Sequence, residues 1–238
     1  MKTSDLKPVS SLVQRYGVKC LAYGPPGGGK TPAIMSAPRP VLLVTEPGLM
    51  SMRGSTIPAW EGYTAEKIAE FFAWCGQSAE TKNFDTICID SISQLAEIIL
   101  IKCLGSNKDG RKAYGELSQK VMEYVDQLYF MPQKHVYIIA KESKQEELVW
   151  SFSGPMPVQT PVMKKLPYFP GQDLNIKVPH RYDEIIRVAK GSIPGVQGEH
   201  RYFRTNGPDS ELVVRDRSGR LNEYEPQDLS ALFAKAMS

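Results

Sequence analysis

Short, nearly unbroken apolar runs alternate along this chain with segments whose apolar residues recur at every third or fourth position. Residues 18–23, 41–44, 86–90 and 135–140 are runs of the first kind. A strand apolar on successive residues has both faces covered, the pattern of a parallel sheet lying between layers of helix. Between these runs, Ile68, Phe71, Phe72 and Cys75 follow a capping Thr64 and predict a helix over 65–78. Ile92, Leu95, Ile98, Ile99 and Leu100 predict a second helix, and Leu117, Val121, Tyr124, Val125 and Leu128 a third. Strand and helix in alternation predict an α/β fold, with a mainly parallel central sheet, right-handed crossovers and helices on both faces.

The pattern weakens in three places. Residues 1–17 have little periodicity and read as an N-terminal arm, leaving 18–238 as a single core domain. Residues 105–112 read as a polar loop between helices. Residues 142–179 show no stable period and carry Gly154, Pro155, Pro157, Pro161, Pro167, Pro170 and Gly171, so they read as one long loop. A loop of that length inside a compact domain is usually functional or mobile. Beyond it, residues 185–188, 201–204 and 211–215 predict late strands in a hairpin region, with turns at 191–198 and 206–209. Residues 226–236 close the chain as a short helix.

The run over 18–23 leads directly into Gly24, Pro25, Pro26, Gly27, Gly28, Gly29, Lys30 and Thr31, which satisfies G-x-x-x-x-G-K-[ST] in full. Glycines let successive backbone N–H groups curl around phosphates, where a Cβ would obstruct both turn and ligand. Lys30 is expected to reach the β- and γ-phosphates, and Thr31 to offer its hydroxyl to Mg²⁺. A helix beginning here directs its positive end at the same anion. Pro32 is compatible with that helix because an N–H in the first turn has no intrahelical partner. The predicted cofactors are therefore ATP and Mg²⁺.

Asp90 ends the apolar strand 86–90, where such a site needs a carboxylate to hold Mg²⁺ through a coordinated water. Its other reading is a helix cap for the segment that follows. Ser91 comes next rather than a glutamate, so the base that activates water is sought at another strand end. Glu46 follows the strand 41–44 and is the candidate, since ligand crevices of open α/β sheets lie outside the carboxyl ends of the strands. The alternative for Glu46 is a solvated turn residue before Pro47 and Gly48.

Composition narrows the class without choosing a function. At 238 residues, 42% hydrophobic and 23% charged, the chain can bury a sizeable core. A net charge of +3 does not announce a nucleic-acid partner. Cys20, Cys75, Cys88 and Cys103 are widely spaced in apolar surroundings and are expected to be buried free thiols. His135, His180 and His200 are scattered, which leaves no metal-ligand spacing. With neither an 18-residue apolar run nor a charged-then-apolar leader, no membrane association is expected and the cytoplasm is the default location.

The phosphate loop, Glu46 after its strand, and Ile89, Asp90 and Ser91 together resemble the RecA-like recombinase ATPases. The likeness is closer to the compact phage-encoded members that amount to little more than this core, some of them single-strand annealing recombinases. Tyr114 and Gly115, residues 179–185, and residues 215–221 also resemble that group, so the likeness spans about residues 18 to 235. It implies a RecA-like fold, Lys30 and Thr31 as phosphate and Mg²⁺ contacts, Asp90 as the acid behind the metal, and Glu46 as the base. Where many members carry a polar sensor such as Gln, this chain reads Ala140, Lys141, Glu142 and Ser143, with Lys141 or Glu142 as replacements.

Two loops line the DNA path in that family, and their counterparts here are basic. The first carries Lys108, Arg111 and Lys112; the second carries Lys144, Lys164, Lys165 and Lys177 among Trp150, Phe152, Tyr168 and Phe169. Cations track the phosphates of a single strand and rings stack on its bases, although the same aromatics would also pin a loop to the core. Arg204 and Arg217 are candidates for a finger reaching a neighbouring subunit's nucleotide, or ordinary surface arginines. The resemblance thus implies an ATPase acting in phage recombination in the host cytoplasm. Its partners would be single-stranded DNA, copies of itself in a ring or filament, and a single-strand-binding protein or helicase. The alternative function is an ATP-dependent loading or assembly factor, such as a helicase loader, acting on a protein.

Overall fold

The structure, a computed structural model, describes residues 6–8, 16–151, 156–208 and 211–238. The expected arm over 1–17 lies for the most part outside them, as does the aromatic ring of Phe152.

Five apolar runs become the strands β1 (Lys19–Tyr23), β2 (Pro40–Val44), β4 (Thr86–Asp90), β5 (His135–Ile139) and the first half of β8 (Glu184–Ile193). With a short β3 (Ala59–Glu61) they form a parallel array in the order β8-β1-β5-β4-β2-β3. β9 (Val196–Arg204) adds antiparallel to β8, and β11 (Tyr224–Pro226) antiparallel to β9. A two-residue β10 (Arg215–Asp216) pairs with the start of β8. The mainly parallel α/β sheet with a late hairpin region is the fold expected.

Successive residues of each central strand divide between two cores, which is why the middle of each strand is apolar on consecutive positions. Leu21, Tyr23, Leu43, Ile87, Ile89 and Ile138 face α2 (Ala65–Gln77), α3 (Ile92–Ser106) and α4 (Gly110–Tyr129). Cys20, Ala22, Leu42, Val44, Cys88 and Ile139 face α1 (Lys30–Ala33) and the C-terminal α6 (Leu229–Met237), which comes after a short α5 (Gln172–Lys177) in the chain. Each large side chain so buried contributes about 1.5–3 kcal/mol. The helices start where their caps stand: the Thr64 hydroxyl accepts from the Lys67 amide, and the Asp228 carboxylate from the Ala231 amide. All four cysteines are buried free thiols, as expected.

Four expectations are corrected. Residues 142–179 are not one loop: β6 (Glu142–Ser151) and β7 (Val158–Pro167) pair over ten positions as a separate antiparallel ribbon. Much of that ribbon is solvent-exposed, so no apolar alternation marks it, and Pro161 is admissible because each strand of a two-stranded ribbon has a free edge. The basic stretch over 105–112 is mostly helical, since α3 runs to Ser106 and the Asp109 carboxylate caps α4 by accepting from the Arg111 amide. The predicted turn over 191–198 contracts to Pro194 and Gly195, with Gly195 at φ +79°, because β8 and β9 continue into solvent. The strand expected over 211–215 survives as a single bridge from Leu212 to Lys165 followed by β10.

Candidate functional site

The phosphate loop leaves the carboxyl end of β1 and turns directly into α1, which Pro32 does not interrupt: the Ala33 amide bonds the Gly29 carbonyl. Glycine is required here by close approach as well as by backbone angle. Gly24 lies at φ +154°, and a Cβ on it would sit 2.1 Å from the Val188 carbonyl oxygen of β8. A Cβ on Gly28 would sit 2.7 Å from the same oxygen, and one on Gly29, at φ +100°, 2.5 Å from the Gln227 amide oxygen. The loop is thus pressed onto β8 on one side and covered by the C-terminal segment on another. Gln227 donates to the Gly28 carbonyl at 2.7 Å, and the Ser36 hydroxyl accepts from the first amide of α6 at 2.9 Å.

Lys30 turns back over the loop and donates to the carbonyls of Gly24 (2.6 Å) and Pro25 (3.0 Å). Burial lowers its pKa, against the pull of the carboxylates of Asp90, Glu142 and Glu46. Thr31 donates its hydroxyl to Asp90 Oδ2 at 2.5 Å, joining the loop to the end of β4 two strands away. Burial raises the Asp90 pKa and the nearby Glu46 charge adds to it, while the Thr31 hydroxyl opposes both. A hydroxyl and a carboxylate in contact beside a glycine cradle are the donor set that nucleotide-bound Mg²⁺ requires, so these residues fit Mg²⁺-ATP.

Glu46 stands two residues beyond β2, half-buried, and accepts a hydrogen bond from the Ser91 hydroxyl at 3.2 Å. Ser91 also caps α3, accepting from the Gln94 amide. The Thr45 hydroxyl, in turn, donates to the Ser91 carbonyl and accepts from the Ser91 amide. The residue that stands where a glutamate was sought therefore orients Glu46 from the neighbouring strand. Lys30, Thr31, Glu46 and Asp90 converge on one end of the sheet, although Glu46 and Asp90 lie 15 and 59 positions beyond Thr31 in sequence.

The other named residues are dispersed. Lys108, Arg111 and Lys112 are exposed at the start of α4. Lys164 and Lys165 lie on opposite faces of the ribbon, because neighbours in a strand alternate. Lys164 pairs with Glu147 at 3.2 Å, whereas Lys165 stands directly across from Lys144. Phe169 is 1% exposed in the core and is unavailable to a base. Arg204 is bound within the chain, to Glu223, Tyr224 and the Asn206 carbonyl. Arg217, at the opposite end of the sheet from the loop, donates to the His180 carbonyl at 3.0 Å and lies 3.5 Å from Asp183. Of the two sensor candidates, Lys141 bonds Gln94 and Glu97 on α3, and Glu142 forms an ion pair with Arg187 of β8.

Arg187 and Gln227 are the site residues that sequence reasoning missed. Neither belongs to a spaced motif, and each is brought to the loop only by strand order. A groove of about 750 Å³ beside α4 lies elsewhere, and its charged lining is already paired, Asp173 with Lys177 and Asp126 with Arg181. Among the described residues no helix is long and apolar enough to cross a membrane.

A family model described as an AAA domain matches residues 16–151. Solved structures with a similar fold include the KaiC-like protein PH0186 from Pyrococcus horikoshii OT3. It is 12% identical, with a TM-score of 0.41 over 84% of this chain and 80% of that one. The flagellar accessory protein FlaH from Methanocaldococcus jannaschii is also 12% identical, with a TM-score of 0.41 over 80% and 78%. No curated protein matches the chain.

Proposed function

The chain belongs to the AAA-domain family, and from that premise we propose that it is an ATPase that grips single-stranded DNA with its β6–β7 ribbon. Mg²⁺-ATP supplies the phosphoanhydride that is cleaved. The loop amides and Lys30 bind and orient the phosphates, and Thr31 with Asp90 holds the metal. Glu46, aimed by Ser91, takes the proton of the attacking water. Water activation by Glu46 carries the hydrolytic role, and the ribbon carries the DNA-binding one.

The observation that favours DNA is the composition of one ribbon face. Lys144 and Lys165 oppose one another across the strands, a like-charge pair that a bridging phosphate would relieve, with Glu146 next to Lys144 on the same face. Met163, across from Glu146, and then Leu148 and Trp150 lie on that face as well, exposed by 51%, 60% and 54%. Cations near the root and an exposed ring further out suit a strand whose phosphates and bases are met in turn. Lys108, Arg111 and Lys112 on α4 are proposed as a second basic contact.

RecA-like assembly would place subunits head to tail. Arg217, half-exposed at the end of the sheet away from its own loop, is then the better placed of the two arginines to meet a neighbour's nucleotide. Action in phage recombination is part of the same proposal.

The test is fluorescence anisotropy with a labelled oligonucleotide, together with ATPase rate, across salt. Lys144→Ala with Lys165→Ala should weaken binding about tenfold and flatten its salt dependence, while Lys164→Ala on the opposite face changes little. ATPase activity indifferent to DNA, with the double variant binding as wild type does, would turn the proposal toward a loading factor acting on a protein.

A further inference from the structure

The fold carries Arg187 to the phosphate-loop end of the sheet, with Arg204 of β9 paired beside it in register. On its other side Arg187 pairs in register with Tyr23, the last residue of β1, so its backbone lies one strand spacing from the residue before Gly24. Val188, its neighbour, is the residue whose carbonyl the loop packs against. Its guanidinium is 16% exposed and holds the Glu142 carboxylate, itself 11% exposed, through Nε to Oε2 at 2.6 Å and Nη2 to Oε1 at 3.4 Å. Glu142 is the first residue of the ribbon. The Lys30 ammonium lies within the electrostatic reach of both.

We propose that Arg187 contacts the terminal phosphate of the bound nucleotide, and that Glu142 is the counter-ion it gives up, so that nucleotide charge governs how the ribbon root is held. The inference rests on the nucleotide reading of the phosphate loop. The chemistry is an exchange of anions on one fork: a guanidinium binds carboxylate and phosphate by the same planar, two-point geometry. A terminal phosphate carries more charge than a carboxylate and would draw on the same fork. ADP, which lacks that phosphate, would leave the Arg187–Glu142 pair in place.

Glu142 is suited to release. It begins a ribbon tied to the sheet itself by the Tyr23 hydroxyl to the Lys165 carbonyl and by the bridge from Lys165 to residues 211–213, while just before and after it Ser93 of α3 holds Lys141 and Tyr168. Losing the ion pair therefore loosens the root of the element that bears Lys144, Lys165 and Trp150. A merely structural ion pair would stabilise the ribbon without distinguishing one nucleotide from another, which separates the two roles experimentally.

Equilibrium binding of fluorescent ADP and of a fluorescent, non-hydrolysable ATP analogue is measured for wild type, Arg187→Ala, Arg187→Lys, Glu142→Gln and Lys30→Ala. Trypsin cleavage at the ribbon lysines is followed in parallel. Arg187→Ala and Arg187→Lys should each lose roughly tenfold or more in affinity for the ATP analogue, with ADP binding within about twofold of wild type. Glu142→Gln should bind the ATP analogue more tightly than wild type does. Ribbon cleavage should rise with the ATP analogue but not with ADP in wild type, and the nucleotides should not differ in either Arg187 variant.

Equal loss of both nucleotides in the Arg187 variants overturns the proposal, as does an unchanged preference for the analogue. Should Arg187→Ala not fold, Arg187→Lys and Glu142→Gln decide the matter, and Glu142→Gln behaving as wild type in both assays overturns it. If wild type binds neither nucleotide and matches Lys30→Ala, the phosphate-loop reading falls and this inference with it. If Lys30→Ala abolishes binding that the Arg187 variants retain in full, this inference alone falls.

Discussion

Replacing Glu184 by Gln should remove a loss of stability that the wild-type fold suffers as pH rises from about 5 to about 8. Glu184 opens β8 at the end of the sheet away from the phosphate loop, is 1% exposed, and stands across from Asp216 in the β8–β10 register. Burial first, and then the Asp216 charge, raise its pKa from 4.5 to about 8. Burial pushes Asp216 upward too, but the Ser218 hydroxyl and the amides of Leu221 and Gly219 outweigh it and hold Asp216 below the usual range. The fold therefore keeps a proton on Glu184, facing an ionised Asp216.

The sign follows from proton counting. Between pH 4.5 and about 8 the unfolded chain has released the proton that the folded chain retains, so the contribution is complete in acid and is lost as pH rises toward 8. The slope is at most about 1.4 kcal/mol per pH unit, and the integrated effect is on the order of 3 kcal/mol once residual hydration is allowed for. Two other groups act in the opposite direction. Burial lowers His135 to about 4, which makes stability rise with pH below its ordinary value of 6.5. Burial also lowers Lys19 to about 8, which makes stability rise with pH above that point. Both are common to wild type and variant and cancel in the difference.

Urea unfolding of both proteins at several pH values gives that difference directly. The stability of Glu184→Gln relative to wild type should climb by on the order of 3 kcal/mol from about pH 5 to about pH 8. A difference that stays constant with pH would refute the reasoning.

Three further perturbations probe the site and the core. Glu46→Gln should bind ATP as wild type does and hydrolyse it about 10²- to 10⁴-fold more slowly in a single-turnover assay, and hydrolysis at the wild-type rate would remove Glu46 from the mechanism. Gly28→Ala places a methyl 2.7 Å from the Val188 carbonyl oxygen, so the loop must leave β8. Nucleotide affinity by titration calorimetry should fall at least about tenfold while the far-ultraviolet circular dichroism spectrum is unchanged. Phe72 stacks on Tyr124 at 4.0 Å between ring centres with the planes 11° apart, so Phe72→Ala should cost about 3–5 kcal/mol in chemical denaturation.

The reach of sequence reasoning divides along physical lines. β1, β2, β4 and β5 were readable because burial on both faces makes consecutive positions in the middle of a strand apolar, and α2 because one apolar stripe and a capping Thr64 mark it. The ribbon was not: Glu142, Lys144, Glu146, Leu148 and Trp150 share one face without sharing a polarity, so no period of two emerges. The helical start of α4 was obscured by its basic, exposed first turn, where the Asp109 carboxylate caps the helix by accepting from the Arg111 amide.

The candidate site divides in the same way. The loop glycines, Lys30 and Thr31 are contiguous, so the sequence alone determined the cradle. The strand-end positions of Glu46 and Asp90 followed from runs that end beside them. Tertiary structure alone decided that Ser91 aims Glu46, that Gln227 covers Gly28 from 199 positions away, and that Arg187 meets Glu142 across 45. Each of those contacts is an isolated polar pair between distant segments. A repeating pattern records which face of an element is buried; a single pair leaves no such record, because it exists only once strand order and register have brought its two ends together.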